Sequence, residues 1–175
     1  TADGASVTLS SGAVLEVEVV LVAIGRDVGK DQLGLDRLGL KRTEQGFLQV
    51  DASLQTSVSG VYAIGDLTGK TLLAHGAAEE GICAVENMIG HKRAMDYTAI
   101  PRVTYTLPEI ASIGRREEEL KKADIPFRVG RFSYAANAMA QLHEQAEGMV
   151  LIHVGADQKV LGATVMGGNA ADMIQ

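Results

Sequence analysis

The run Val58-Ser59-Gly60-Val61-Tyr62-Ala63-Ile64 leads straight into Gly65-Asp66, a short polar loop and then the best helical pattern in the chain, Leu72 to Ile89. A buried strand that ends in Gly-Asp and feeds a helix constrains the fold more than any other feature. It predicts an α/β layer in which a ligand meets the carboxyl end of a strand. Gly65 would let a ligand approach the backbone closely. Asp66 could accept hydrogen bonds from sugar-like hydroxyls. The free amides and positive dipole end near Leu73-Ala74-His75 suit an electron-rich or anionic ligand atom. The same residues would also make an ordinary strand-to-helix turn with Asp66 as a cap.

Other segments extend this picture. Val7–Leu9 and Val14–Val17 flank Ser10-Ser11-Gly12, a hairpin signal. Glu18–Ile24 is a near-continuous apolar run ending in Gly25-Arg26 and predicts a strand buried on both faces. Asp27–Lys30 reads as a polar turn, Leu33–Leu40 as a short helix broken by Gly39, and Phe47–Val50 as a brief strand. In 72–89 the small and apolar residues Ala74, Ala77, Ala78, Gly81, Ala84, Val85 and Met88 form one face. Glu79, Glu80, Glu86 and Asn87 are expected in solvent, and Gly90 as the stop. The character changes at Tyr97–Pro101, where Pro101 forces its predecessor into extended geometry. Beyond it, strands are expected over Arg102–Tyr105, Ile110–Ile113, Phe127–Tyr134, Met149–Val154 and Val160–Met166. Helices are expected over Arg116–Ala123 and Asn137–His143. Strands joined by tight turns predict an antiparallel sheet with helices on one side.

Composition excludes several functions. The net charge of -6 argues against a nucleic-acid surface, and no apolar run approaches the roughly 18 residues of a membrane span. The single cysteine, Cys83, excludes an internal disulfide and any CxxC metal site; on an apolar helix it reads as core. Gly65–Thr71 imitates a phosphate loop but has three residues between its glycines where four are needed, and His143-Glu144-Gln145-Ala146-Glu147 lacks the second histidine of a zinc helix. His75 and Glu79 are spaced to pair on a helix surface. His91 and His153 have no candidate partners, and the aromatic residues read as core. No leader pattern follows Asp3. The chain opens on Thr1 and stops at Gln175 just as Asn169-Ala170-Ala171-Asp172 resembles a first helical turn, so a truncated chain is expected.

The ordered set Val20–Arg26, Gln55-Thr56-Ser57 with Val61–Asp66, and Leu73-Ala74-His75 with Glu79-Glu80-Gly81 resembles the flavin-dependent pyridine nucleotide–disulfide oxidoreductases, most closely the dihydrolipoamide dehydrogenase branch. Ile100–Thr106, Pro108–Ala111, Gly114, Phe132–Ala140 and Gly162–Gly168 resemble the start of that family's dimerisation domain. The chain departs from the family pattern at Asp27-Val28, Leu107 and Ala138-Met139.

The resemblance implies α/β plus α+β architecture. Residues 1–26 would end an NAD-binding domain, 27–97 would be the second segment of an FAD-binding domain, and 98–175 an incomplete antiparallel interface domain. It implies that Gly25 lies near NAD, that Asp66 binds the ribityl chain of FAD, and that Leu72, Leu73, Ala74 and His75 face the flavin ring. It further implies a homodimer through residues after Pro101 and a complex with a lipoyl-bearing acyltransferase. The expected compartment is the cytoplasm, or the mitochondrial matrix in a eukaryote. The family's redox cysteine pair, its two GxGxxG fingerprints and its C-terminal histidine base with a glutamate do not occur in these residues. The chain is therefore expected to supply a flavin wall and part of a dimer interface, to be inactive alone, and to hold FAD weakly or not at all. A segment of a mercuric or glutathione reductase-like flavoprotein, or a non-catalytic dimerisation module, is the alternative.

Overall fold

A computed structural model describes residues 4–28 and 34–175. The first hairpin forms as expected: β1 (Ala5–Thr8) pairs antiparallel with β2 (Val14–Val17), and the Leu9 amide closes the turn on the Ala13 carbonyl at 2.8 Å. The strand expected over Glu18–Ile24 does not form. These residues form no regular element, with bends at Glu18 and Ile24, and Leu21 and Ile24 are 88% and 94% exposed. A strand exists only through ladder bonds to a neighbour. Among the described residues no strand pairs with this run. Leu35–Leu38 forms a 3-10 turn ended by Gly39; Leu33 and the residues Gly29-Lys30 of the expected polar turn lie outside the described residues.

The second expected buried strand also takes another form. Val58–Gly60 is a turn, and the flanking residues fold back on each other: the Thr56 amide donates to the Val61 carbonyl at 2.8 Å and the Ala63 amide to the Leu54 carbonyl at 3.1 Å. Tyr62 pairs with Gln55, and Val50 and Leu48 make only single bridges. The run 58–64 is thus half turn and half hairpin arm. Ser57, Ser59 and Gly60 break the apolar stretch, as their turn preference allows.

α1 (Ala74–Met88) packs on this hairpin. Its buried residues are Gly76, Glu80, Cys83 and Ala84, and of these Cys83 and Ala84 meet Leu54, Val50, Tyr62 and Met95. The stripe 76, 80, 83, 84, 87 differs from the expected face, where Ala74, Ala78, Val85 and Met88 are exposed. Apolar periodicity misses it because two members are polar residues whose partners come from the following loop. Asn87 donates to the carbonyls of Cys83 (2.8 Å) and Arg93 (2.7 Å), while Arg93 pairs with Glu79 and with Glu86. Gly90, at φ 92°, ends the helix: its amide returns to the Asn87 carbonyl and the His91 amide to that of Glu86.

The remainder is a five-stranded antiparallel sheet. Its strands are β3 (Arg102–Thr104), β4 (Glu109–Gly114), β5 (Phe127–Ser133), β6 (Met149–Gly155) and β7 (Val160–Gly167), in the order β3-β4-β7-β6-β5. α2 (Glu117–Lys122) opens with Glu119 accepting from the Arg116 amide at 2.8 Å. α3 (Ala138–Leu142) is capped by Asn137, which accepts from the Met139 and Ala140 amides. α4 (Ala170–Met173) follows β7. Ala111, Val165, Tyr134, Ala140, Ala170 and Ile174 form the core with Val150 and Ala163. Alternation along β6 turns His153 away from Val150 and the apolar core.

His153 is 2% exposed and stacks edge-on against Phe127, and among the described residues neither ring nitrogen has a hydrogen-bond partner. Burying a polar group without a partner costs about 1–3 kcal/mol. His153→Leu is therefore expected to raise stability by about 1 kcal/mol in urea unfolding. A drop in the urea midpoint would show that the imidazole is satisfied.

Candidate functional site

The Gly65–Thr68 3-10 turn places Asp66 at the end of the hairpin arm, with its side chain 49% exposed. Gly65 adopts φ 68°, open to glycine and costly to other residues. Thr68 donates to the Gly65 carbonyl at 2.9 Å and steadies the turn. Arg26 reaches across to Asp66 at 3.1 Å. The structure thus brings the segment holding Gly25 beside Asp66, two expected site positions far apart in sequence. Gly25 itself lies on the exposed irregular stretch, at φ 135°.

The loop then turns sharply. Leu72 takes a left-handed conformation, φ 53°, which costs a non-glycine residue about 1–2 kcal/mol. Leu73 stands at the N-cap and, being a leucine, has no atom with which to cap the helix. The first bond within the helix runs from the Ala77 amide to the Leu73 carbonyl at 2.9 Å, so the amides of Ala74, His75 and Gly76 precede the ladder. Gly76 is fixed by packing: a Cβ there would fall 2.5 Å from the Thr71 hydroxyl. His75 does not pair with Glu79. Its Nε2 lies 2.7 Å from the Pro101 carbonyl, while Glu79 turns to Arg93. A cavity of about 480 Å³ opens beside this helix start, between Leu73, His75, Glu79 and Arg93 and the β3-side residues Val103 and Tyr105. Its volume falls in the range of small-molecule sites.

Beneath the turn lies a group that the sequence reading misplaced. Glu80, expected in solvent, has no exposed surface. Its two oxygens accept from the Gly65 amide at 2.5 Å and from the Tyr97 hydroxyl at 2.9 Å. Burial and the neighbouring Glu80 push the Tyr97 phenol well above its ordinary value. Its spacing from Gly76 and Cys83, four before and three after, was the available signal that Glu80 shares their buried stripe. Burial likewise pushes the Cys83 thiol up, which keeps it protonated and fits its reading as a core residue. Among the described residues no cluster of histidine, cysteine and carboxylate side chains could hold a metal ion, and no helix is long and apolar enough to cross a membrane.

A hairpin-and-helix unit followed by an antiparallel sheet matches the fold of the flavoprotein disulfide reductases. The chain belongs to the pyridine nucleotide-disulphide oxidoreductases: the family model matches residues 1–81 and the model of the family's dimerisation domain matches residues 100–175. It is 41% identical to mitochondrial dihydrolipoyl dehydrogenase of Mus musculus, over 97% of this chain and 34% of that protein. It is 40% identical to dihydrolipoyl dehydrogenase of Chlamydia trachomatis serovar D, over 94% of this chain and 36% of that protein. Among solved structures, LpdA of Mycobacterium tuberculosis superposes with a TM-score of 0.90 at 28% identity, covering 99% of this chain and 38% of that one. The chain thus spans about a third of the length of the curated relatives it matches.

The Tyr97 contact has a pH signature. A phenol raised above its ordinary value of 10.0 on folding adds stability that is fully present below pH 10 and is lost as pH rises through the folded value. In an alkaline titration followed by phenolate absorbance, Tyr97→Phe should remove one late-ionising phenol. Equal late amplitudes in the two proteins would refute the buried contact.

Proposed function

We propose that these residues form the flavin-facing turn and the dimer interface of an FAD- and NAD-dependent dihydrolipoyl dehydrogenase, which oxidises dihydrolipoamide with NAD⁺ to lipoamide and NADH. The observation that carries this reading is the start of α1, whose first-turn amides have no side-chain cap and open beside a half-exposed carboxylate. A flat aromatic cofactor with an electron-rich carbonyl edge fits there, beside apolar cavity walls in Leu73, Val103 and Tyr105.

When bound, FAD supplies the relay of electrons between a dithiol and the nicotinamide. The chain's own residues do the rest of the work at this site. Asp66 accepts hydrogen bonds from ribityl hydroxyls. Leu72 and Leu73 exclude water, and the backbone of Ala74 and His75 presents the positive end of α1 to the ring, favouring negative charge that develops on it. His75 is held in place by its bond to the Pro101 carbonyl. Gly25, brought near by the Arg26–Asp66 pair, belongs to the nicotinamide side. Residues 1–26, 27–97 and 98–175 correspond on this reading to NAD, FAD and interface portions. Exposed Phe132 and Ile152, which the register sets on one face of the sheet, give the last portion an apolar patch for a second subunit. A lipoyl-bearing acyltransferase is the further partner. With one cysteine in 175 residues, the redox pair has to come from polypeptide that the longer relatives possess.

The 175-residue chain alone is expected to hold FAD weakly or not at all, and a purified chain carrying stoichiometric flavin would contradict this. In the flavin-loaded enzyme that carries this segment, Asp66→Ala should weaken FAD binding about tenfold, the loss of hydrogen bonds to a charged group. The recovery of flavin fluorescence on release measures it, and an unchanged dissociation constant would remove Asp66 from the site.

A further inference from the structure

We propose that Glu80 is a positioning residue that makes the placement of the Gly65-Asp66 turn depend on the junction with the interface sheet. Its consequence for a cofactor rests on the flavin reading above, whereas the link itself rests on geometry. Glu80 is fully buried, and each of its oxygens has one donor: the Gly65 amide at 2.5 Å and the Tyr97 hydroxyl at 2.9 Å. The donors come from opposite sides of α1 in the sequence, 15 residues before Glu80 and 17 after it. Solvent does not reach Glu80, whereas Gly65 and Tyr97 are part-buried, and hydrogen bonds to a carboxylate are about twice as strong as neutral ones.

Both ends of the link lead somewhere specific. At one end, the turn lies against α1 with no side chain between: a Cβ on Gly65 would approach that of Ala77 to 3.3 Å. The adjoining residue is Asp66. At the other end, Tyr97 opens the 3-10 turn Tyr97–Ala99, which is capped by Asp96 and runs through buried Ile100 into Pro101 and β3. The Pro101 carbonyl is also held by His75, at the first turn of α1. Two bonds therefore span from the entry of the interface sheet to the site. The His75 bond fixes the start of α1, and the Tyr97–Glu80–Gly65 relay fixes the turn that carries the carboxylate. A shift of the sheet's entry relative to α1 is transmitted to Asp66 through Glu80. Glutamine at position 80 can still accept from Gly65 and donate to the Tyr97 oxygen, whereas alanine can do neither.

The test uses the flavin-loaded enzyme that carries this segment. Its two readouts are hydrogen–deuterium exchange resolved at the Gly65 amide and the visible absorption band of the flavin. Glu80→Ala should speed Gly65 exchange about tenfold, the loss of one buried hydrogen bond to a charge, and shift the flavin band. Exchange across the β6–β7 pairs should stay unchanged. Tyr97→Phe removes a single hydroxyl, is the variant that keeps the fold, and should speed the same amide to a smaller extent. Glu80→Gln should restore both signals toward those of the unmodified enzyme. Unchanged Gly65 exchange in both Glu80→Ala and Tyr97→Phe would overturn the link and leave the flavin reading standing. Faster exchange with a flavin band moved by Asp66→Ala but not by Glu80→Ala would overturn the positioning role alone. Faster exchange with a band moved by neither substitution would overturn the flavin reading, and the positioning role with it.

Discussion

A carboxylate with no exposed surface is costly unless its oxygens are satisfied, and Glu80 satisfies both, one from the segment before α1 and one from the segment after it. The hairpin of 54–63, the turn at Gly65 and the 3-10 turn at Tyr97 are each short and poorly bonded by themselves, with single bridges in place of ladders. α1 is the element long enough to act as a beam, and Glu80 is the pin through it. Around that pin the smaller contacts make sense. Cys83 and Ala84 close on Leu54 one turn further along, and Arg93 straps the next loop to Glu79 and Glu86. Polar burial here does what apolar burial does in the sheet.

The two halves hold together by different physics. From Arg102 onward the chain is stabilised by continuous antiparallel pairing and one apolar cluster, with caps at Arg116 and Asn137 starting helices where the sequence needs them. Before Arg102, irregular backbone such as 18–24 has no strand pairing among the described residues, and specific side-chain bonds take over the work of ladders. A site built at the meeting of these halves inherits rigidity from one and adjustability from the other.

How much of this could be read from the amino acids follows the same division. The strands and helices after Pro101 were legible because period-2 and capping signals are local. The boundaries of β6, β7 and α3 fall within a residue or two of expectation. The open helix start after Leu73 was legible too, from the shift between loop and helix composition. The runs 18–24 and 58–64 were not, because an apolar run states what a segment can bury and not whether a neighbour is present. Glu80 and Asn87 were misplaced because periodicity sorts residues by hydrophobicity, and their partners Tyr97 and Arg93 arrive from a loop that has no period of its own. His153 escaped for the converse reason: its strand position dictated burial whatever its polarity.

The left-handed Leu72 carries one more implication, for what the loop can tolerate over evolutionary time. Thr71 is keyed into the notch left by Gly76, and Leu73 must be extended to start the helix, so only one position between them is free to reverse the chain. Removing or adding a single residue between Gly69 and Ala74 would pass the left-handed demand to a β-branched threonine, for which it is far more costly, or unseat the helix start. The loop can therefore drift in identity at position 72, toward glycine or asparagine most readily, while its length stays fixed.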